Sequence, residues 1–464
     1  MGETLRTAPD AVIGLRAGKT NRQRESPYKH LKRRAVVFLL DGCRPDYLTR
    51  TKTRTIGRMM NEGVVVDDCR TVFPSLTGTS HTTLATGLYP VTHGITSGIR
   101  YDRGCGQVRE TWMSSYQGRS IAELLRDRGS VVASVEEFTL FTRGADLYVN
   151  VPSHSIGDVA RFAKIAIETK RPQVLYVVFF AVDDAGHLNG PSSRKVDRTI
   201  KEVDDALGQL TKSIERSGGS DELLYVLASD HGMVPVSRDL FSRLEAAIVD
   251  VDRDILFRSF GRFVQIFPHE GTQQKEVVRS VARVEGVDVV LEDCELRALN
   301  TGDGSSQGVI VSLKTGFSSF PRLQPKLPGY HGGLEDLETR VPLIFYGQSV
   351  PHLRLPFAET VDVVPTVAAH LGLRGAAFDG VSLLRLWSRL GMRGNEVGDS
   401  LVRLGETYTQ RIQLIRALSG LKKEYANDGL TAGELRMNAD RISTELLRLN
   451  SRSASIRRSI GVRR

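Results

Sequence analysis

Six consecutive apolar residues, Ala35-Val36-Val37-Phe38-Leu39-Leu40, run without a break into Asp41-Gly42. A strand with one wet face alternates apolar and polar side chains. A short run with no alternation fits a strand buried on both faces, as in a parallel sheet covered by helices. Comparable runs occur at 64–66, 131–135, 174–182, 223–228 and 341–346. Helical patterns lie between several of them, at 45–61, 120–127, 156–169 and 193–214. Strands alternating with helices predict an α/β chain with a mainly parallel central sheet sandwiched by helices.

The rhythm breaks over 241–329, where mixed strand and helix signals predict an inserted α+β cap subdomain. The catalytic core is therefore expected in two parts, 35–240 and 330–395. Residues 396–464 read as a basic helical extension whose last residues, 451–464, are disordered. Residues 1–34 read as a basic tail. The formal charge of +9 belongs to these ends. Residues 1–34 hold nine Lys/Arg against three Asp/Glu, and 401–464 hold thirteen against six, so the body is net acidic. Such ends are expected to be dispensable for chemistry and to offer contact to a polyanion.

The longest apolar run, 174–182, is less than half of the about 20 residues that a membrane-spanning helix needs. Residues 1–20 show no leader-like apolar stretch. Four scattered cysteines make no disulfide framework or zinc knuckle. Together these predict a reducing, cytoplasmic setting. The oligomeric state is not legible.

Open α/β sheets place their ligand sites at the carboxyl ends of strands, and there the chain concentrates acids and histidines. Asp41 follows the first run, although Asp-Gly after a strand is equally a turn signal. Asp183-Asp184-Ala185-Gly186-His187 follows the 174–182 run, in a segment expected to be a loop that turns at Gly186. Ser229-Asp230-His231-Gly232-Met233 follows the 223–228 run, and His331-Gly332-Gly333 precedes the last strand. Three of only ten histidines thus sit beside three aspartates. Carboxylate and imidazole ligands without cysteine suit a catalytic rather than a structural zinc site. A hydroxyl candidate lies in Pro74-Ser75-Leu76-Thr77-Gly78, just before a short helical segment whose N-terminus would favour an anion.

These segments resemble a known family. Phe73-Pro74-Ser75-Leu76-Thr77 with His81, Thr86-Gly87-Leu88-Tyr89-Pro90, His93-Gly94-Ile95, Asp183 with His187, Ser229 to Met233, and His331-Gly332 are similar, in order, to the motifs of the nucleotide pyrophosphatase/phosphodiesterases of the alkaline phosphatase superfamily. The resemblance covers about 35–240 and 330–371. It implies an alkaline-phosphatase-like fold and hydrolysis of a phosphodiester or nucleotide pyrophosphate through a phospho-threonine. It implies Thr77 as nucleophile and two Zn2+, other divalent metals being possible. Asp183, His187 and His331 would hold one zinc; Asp41, Asp230, His231 and the Thr77 oxygen the other. A phosphomonoesterase or phosphonate hydrolase would use the same residues. A non-catalytic basic binding protein is the reading from another class.

One position departs. Relatives carry Asn five residues after the His of His-Gly-Ile, where this chain has Gly98. Arg100, two residues on, is the candidate replacement as a phosphoryl donor.

Overall fold

The computed structural model describes residues 12–15, 33–97, 99–102, 107–110, 115–216, 222–268, 272–302, 308–320, 327–384, 386–387 and 396–462. Its centre is a nine-stranded sheet. The strand Arg33–Leu40 sits in the middle, paired in parallel with Val174–Phe179 on one side and Glu222–Ala228 on the other. The continuous apolar run is explained by its surroundings. Ala35, Val37 and Leu39 enter the core on one face of the sheet, and Val36, Phe38 and Leu40 enter the core on the other. Helices Ile156–Lys170 and Arg194–Arg216 bury residues in the second core. Thr77–Thr86 and Val363–His370 bury theirs in the first.

Beyond Glu222–Ala228 the sheet turns antiparallel. Leu343–Tyr346 pairs antiparallel with Glu222–Ala228 and with Val64–Val66. The strand expected at 341–346 is also divided. Arg340–Val341 pairs instead with Cys69–Arg70 in a small separate sheet. Pro342 stands at the break, where a residue without an N–H cannot continue a ladder.

Within 241–329 the chain builds a four-stranded antiparallel sheet from Leu256–Ser259, Phe263–Phe267, Val309–Leu313 and Val287–Leu291. Its own apolar core includes Leu244, Val264, Val281 and Val311. A fully buried ion pair fastens it to the body. The Arg262 guanidinium meets the Glu338 carboxylate with contacts of 2.9 and 2.8 Å.

The two ends differ from the expectation of tails. Val12–Leu15 is an edge strand paired antiparallel with Leu147–Asn150. Residues 396–462 form a helical hairpin, Glu396–Ala426 and Ala432–Val462, so most of 451–464 is helix rather than disordered chain. The basic residues that suggested a solvated tail are partly consumed inside the fold. Lys422 is buried against Glu292 and Glu295 of the insertion. Arg457 is buried against Glu359 and against Asp362 at 2.6 Å, on the core. The hairpin thus ties both bodies together. Removing one partner of a buried pair leaves the other charge unpaired, at a cost of about 3–5 kcal/mol. Arg457→Ala is therefore expected to destabilise the fold by about that amount in urea denaturation. A variant with an unchanged midpoint would show that residues near 457 are as dispensable as their composition suggested.

Candidate metal and active site

Three adjacent parallel strands end at one level. Leu40 is registered opposite Phe179, and Leu39 opposite Ala228. The chain after each strand supplies one acid: Asp41, Asp183 and Asp230. Asp41 and Asp230 are at most 1% exposed, and Asp183 is partly buried with its Oδ1 inaccessible. Gly42 makes the close approach possible. Its φ is +67°, and a Cβ there would lie 2.6 Å from Asp183 Oδ1. Its N–H donates to Asp230 Oδ1 at 3.1 Å. The Asp-Gly pair is thus a turn and a site element together.

Asp183 and His187 are not in a loop. Helix Ala181–Asn189 starts almost directly after the strand. Four residues along a helix return a side chain to the same face. This brings His187 Nε2 to 3.2 Å from Asp183 Oδ2. His331 Nε2 lies 3.8 Å from Asp183 Oδ1. His231 Nε2 lies 3.0 Å from Asp230 Oδ2 and 3.5 Å from Asp41 Oδ1. The His231 and His331 rings stack with centroids 3.5 Å apart, so the two groups are contiguous.

The hydrogen-bond network assigns the tautomers. Nδ1 of His187, His231 and His331 faces the carbonyl oxygens of Gly329, Gly232 and Ser75, at 2.8, 3.0 and 2.9 Å. Each Nδ1–H donates there, which turns Nε2 toward the carboxylates. Burial, with the charges of His231 and His187, pushes the His331 pKa down to about 3 and keeps that ring neutral.

The carboxylates are under electrostatic load. Burial and the charge of Asp230 raise the Asp41 carboxyl well above its ordinary value. Burial also pushes Asp183 and Asp230 upward, but His187 beside Asp183, and His231 with His81 beside Asp230, hold both below the usual range. Asp41 Oδ1, Asp183 Oδ1 and Asp230 Oδ2 are buried with no hydrogen-bond partner among the described residues. Buried polar atoms are almost always satisfied. Divalent cations would satisfy these three, and the donor sets Asp183/His187/His331, Asp41/Asp183/His231 and Asp41/His81/Asp230 each converge closely enough to hold one.

Thr77 is the first residue of Thr77–Thr86, with Oγ1 3.1 Å from His231 Nε2. The structure therefore gathers Asp41, Thr77, Asp183, His187, Asp230, His231 and His331 in one place. It also brings in residues that the sequence reading did not assign. His81 touches Asp41 and Asp230, with Glu137 behind it. Ser75 donates from its hydroxyl to the Gly333 carbonyl and accepts from the Gly332 N–H. Glu338 accepts from the Gly333 N–H on its side chain and from the Gly232 N–H on its carbonyl, which pins two of the histidine loops. Gly98 lies outside the described residues. Arg100 lies on the strand Ile99–Asp102, opposite Arg109, and its side chain is outside the description.

The family model for type I phosphodiesterase/nucleotide pyrophosphatase matches residues 35–326, well over half of the chain. The chain belongs to this family. The match stops short of His331, whose place in the site comes from the geometry alone. Among curated relatives, the bis(5'-adenosyl)-triphosphatase ENPP4 of Homo sapiens is 25% identical over 252 residues, 51% of this chain and 55% of the relative. An uncharacterized pyrophosphatase/phosphodiesterase of Schizosaccharomyces pombe is 28% identical over 221 residues, 44% of this chain and 45% of the relative. The chain spans about half the length of the curated relatives it matches. Murine ectonucleotide pyrophosphatase/phosphodiesterase 5, solved in an inactive form with AMP, superposes with a TM-score of 0.64 at 21% identity, covering 76% of this chain and 99% of that one. That likeness gives the fold, an α/β sheet of the alkaline-phosphatase type.

A ligand that binds only the native state stabilises it. Stripping divalent cations is therefore expected to lower the melting temperature by several degrees, and zinc to restore it. Identical melting curves with and without chelator would contradict a cation as the missing partner of these carboxylates.

Proposed function

We propose that this chain hydrolyses phosphoric esters at this site, as a phosphodiesterase or nucleotide pyrophosphatase. The observation that carries the reading is the set of three buried, unpartnered carboxylate oxygens facing the Nε2 atoms of three histidines, with the Thr77 hydroxyl among them. Membership of the family supports it, as do curated relatives named bis(5'-adenosyl)-triphosphatase and ectonucleotide pyrophosphatase/phosphodiesterase. AMP bound to a protein of similar fold supports a nucleotide as substrate.

Two zinc ions are part of the proposal. Asp183, His187 and His331 would hold one; Asp41, Asp230, His231 and Thr77 Oγ1 the other. Bound there, they supply a lowered hydroxyl pKa and a counter-charge for phosphoryl and leaving-group oxygens. Thr77 Oγ attacks phosphorus in line, and the ester or pyrophosphate oxygen leaves on the opposite side. The N-terminus of Thr77–Thr86 points its free N–H groups toward the phosphoryl oxygens and stabilises their charge. A phospho-Thr77 results. Water then attacks it from the side the leaving group has vacated and regenerates the hydroxyl. A cytoplasmic setting is proposed with this function, supported by the free thiols of Cys43, Cys69 and Cys294, each raised in pKa by burial.

Turnover of an aryl phosphodiester tests the reading. Thr77→Ala is expected to lower kcat by a factor on the order of 10³ or more, as loss of a nucleophile does elsewhere. Thr77→Ser should retain a measurable fraction, and chelation should abolish the rate until zinc is returned. Faster turnover of an aryl monoester or phosphonate would move the assignment to those substrates. An active Thr77→Ala enzyme would remove the nucleophile, and no turnover of any ester would leave a binding protein.

A further inference from the structure

We propose that His81, anchored from behind by Glu137, is a positioning residue that fixes the carboxylates of Asp41 and Asp230 for a divalent cation. The proposal rests on the cation reading above and concerns two residues to which that reading gives no part. His81 follows Thr77 by four positions on one helix, so the nucleophile candidate and this imidazole share a face. The side chain is completely buried. Its Nε2 lies 3.2 Å from Asp41 Oδ2 and 3.5 Å from Asp230 Oδ2. Its Nδ1 lies 2.6 Å from Glu137 Oε2.

The ring has little freedom to swing. Phe138 stacks on it at 5.0 Å between centroids, and Phe180 at 5.9 Å, both within 22° of parallel. Glu137 is fixed in its turn. Its Oε1 accepts from the Thr139 N–H at 3.1 Å and from the Thr139 hydroxyl at 2.5 Å. A chain of hydrogen bonds therefore runs from Thr139 through Glu137 and His81 to Asp41, with the Asp230 carboxylate in ion-pair contact beside it. The consequence shows at Asp41. Oδ2 is engaged by His81, and Oδ1 is left without a partner beside His231. One oxygen is tethered and the other is presented.

The three other histidines of the site give Nδ1 to backbone carbonyls. His81 gives it to a carboxylate, a stronger, charge-assisted bond. Groups behind a metal site that orient its ligands in this way typically change metal affinity about 10- to 100-fold when mutated. A packing role alone would change stability and leave metal affinity untouched.

Zinc titrations of the metal-stripped full chain against a chromogenic chelator separate these cases, with folding checked by near-ultraviolet circular dichroism. The wild type is expected to bind two zinc ions. His81→Leu should weaken one of the two by about 10- to 100-fold and leave the other unchanged. His81→Gln keeps an amide donor near the Nε2 position and should recover part of the loss. Glu137→Gln should cause a smaller loss in the wild-type background and none in the His81→Leu background, because it acts through His81. If His81→Leu fails to fold, His81→Gln and Glu137→Gln carry the test. Folded His81 variants that bind both ions with wild-type affinity would overturn the proposal. Fully additive losses for His81 and Glu137 would overturn the anchoring role of Glu137. A wild type that binds no zinc would remove the cation reading itself, a failure distinct from either.

Discussion

Three carboxylates are forced together in the interior at the ends of three neighbouring parallel strands, and the rest of the site is arranged around that repulsion. Burial raises the pKa of every one of them, and Asp41 and Asp230 raise the load further by facing each other. Imidazoles offset it for Asp183 and Asp230, and Asp41 remains shifted upward. An unpaired buried charge is among the most destabilising features a fold can carry. The arrangement therefore calls for cationic partners, and it explains why each histidine is tied at Nδ1 and presents Nε2 inward.

Rigidity around the site comes from elements far apart in the chain. Glu338 holds the loops of His231 and His331 by two backbone N–H groups. Its carboxylate is paired in turn with the fully buried Arg262 of the inserted sheet. The insertion is linked to the C-terminal hairpin through Lys422, and the hairpin to the core through Arg457. The inserted sheet and the hairpin are thus mechanically continuous with the ligand loops. A site that must hold several ligands to within a fraction of an ångström benefits from supports of this kind.

The central strands were legible because both faces of each are covered, which leaves an apolar run with no competing reading. Asp41, Asp183 and Asp230 were legible because each stands within a few residues of such a run. The helix carrying Asp183 and His187 was not. Directly after a strand, a five-residue segment with a glycine reads as a turn, and only the tertiary packing of 181–189 settles the i, i+4 geometry. His81 stood among the motif residues without a role, although it lies one helical turn beyond Thr77. Glu137 left a signal too, since it follows the buried strand Val132–Val135 as the other acids follow theirs. The C-terminal hairpin was misjudged over its last turns because its burial depends on single residues such as Arg457 and Ile460. Net charge over a window conceals contacts of that kind.

Anomalous diffraction at the zinc absorption edge, from crystals of the full chain grown with zinc, tests whether two cations sit among these carboxylates. Two peaks are expected at the strand ends. One is bounded by Asp183, His187 and His331, and the other by Asp41, Asp230, His231 and the Thr77 oxygen. Density for these side chains with no anomalous peak among them would contradict that expectation.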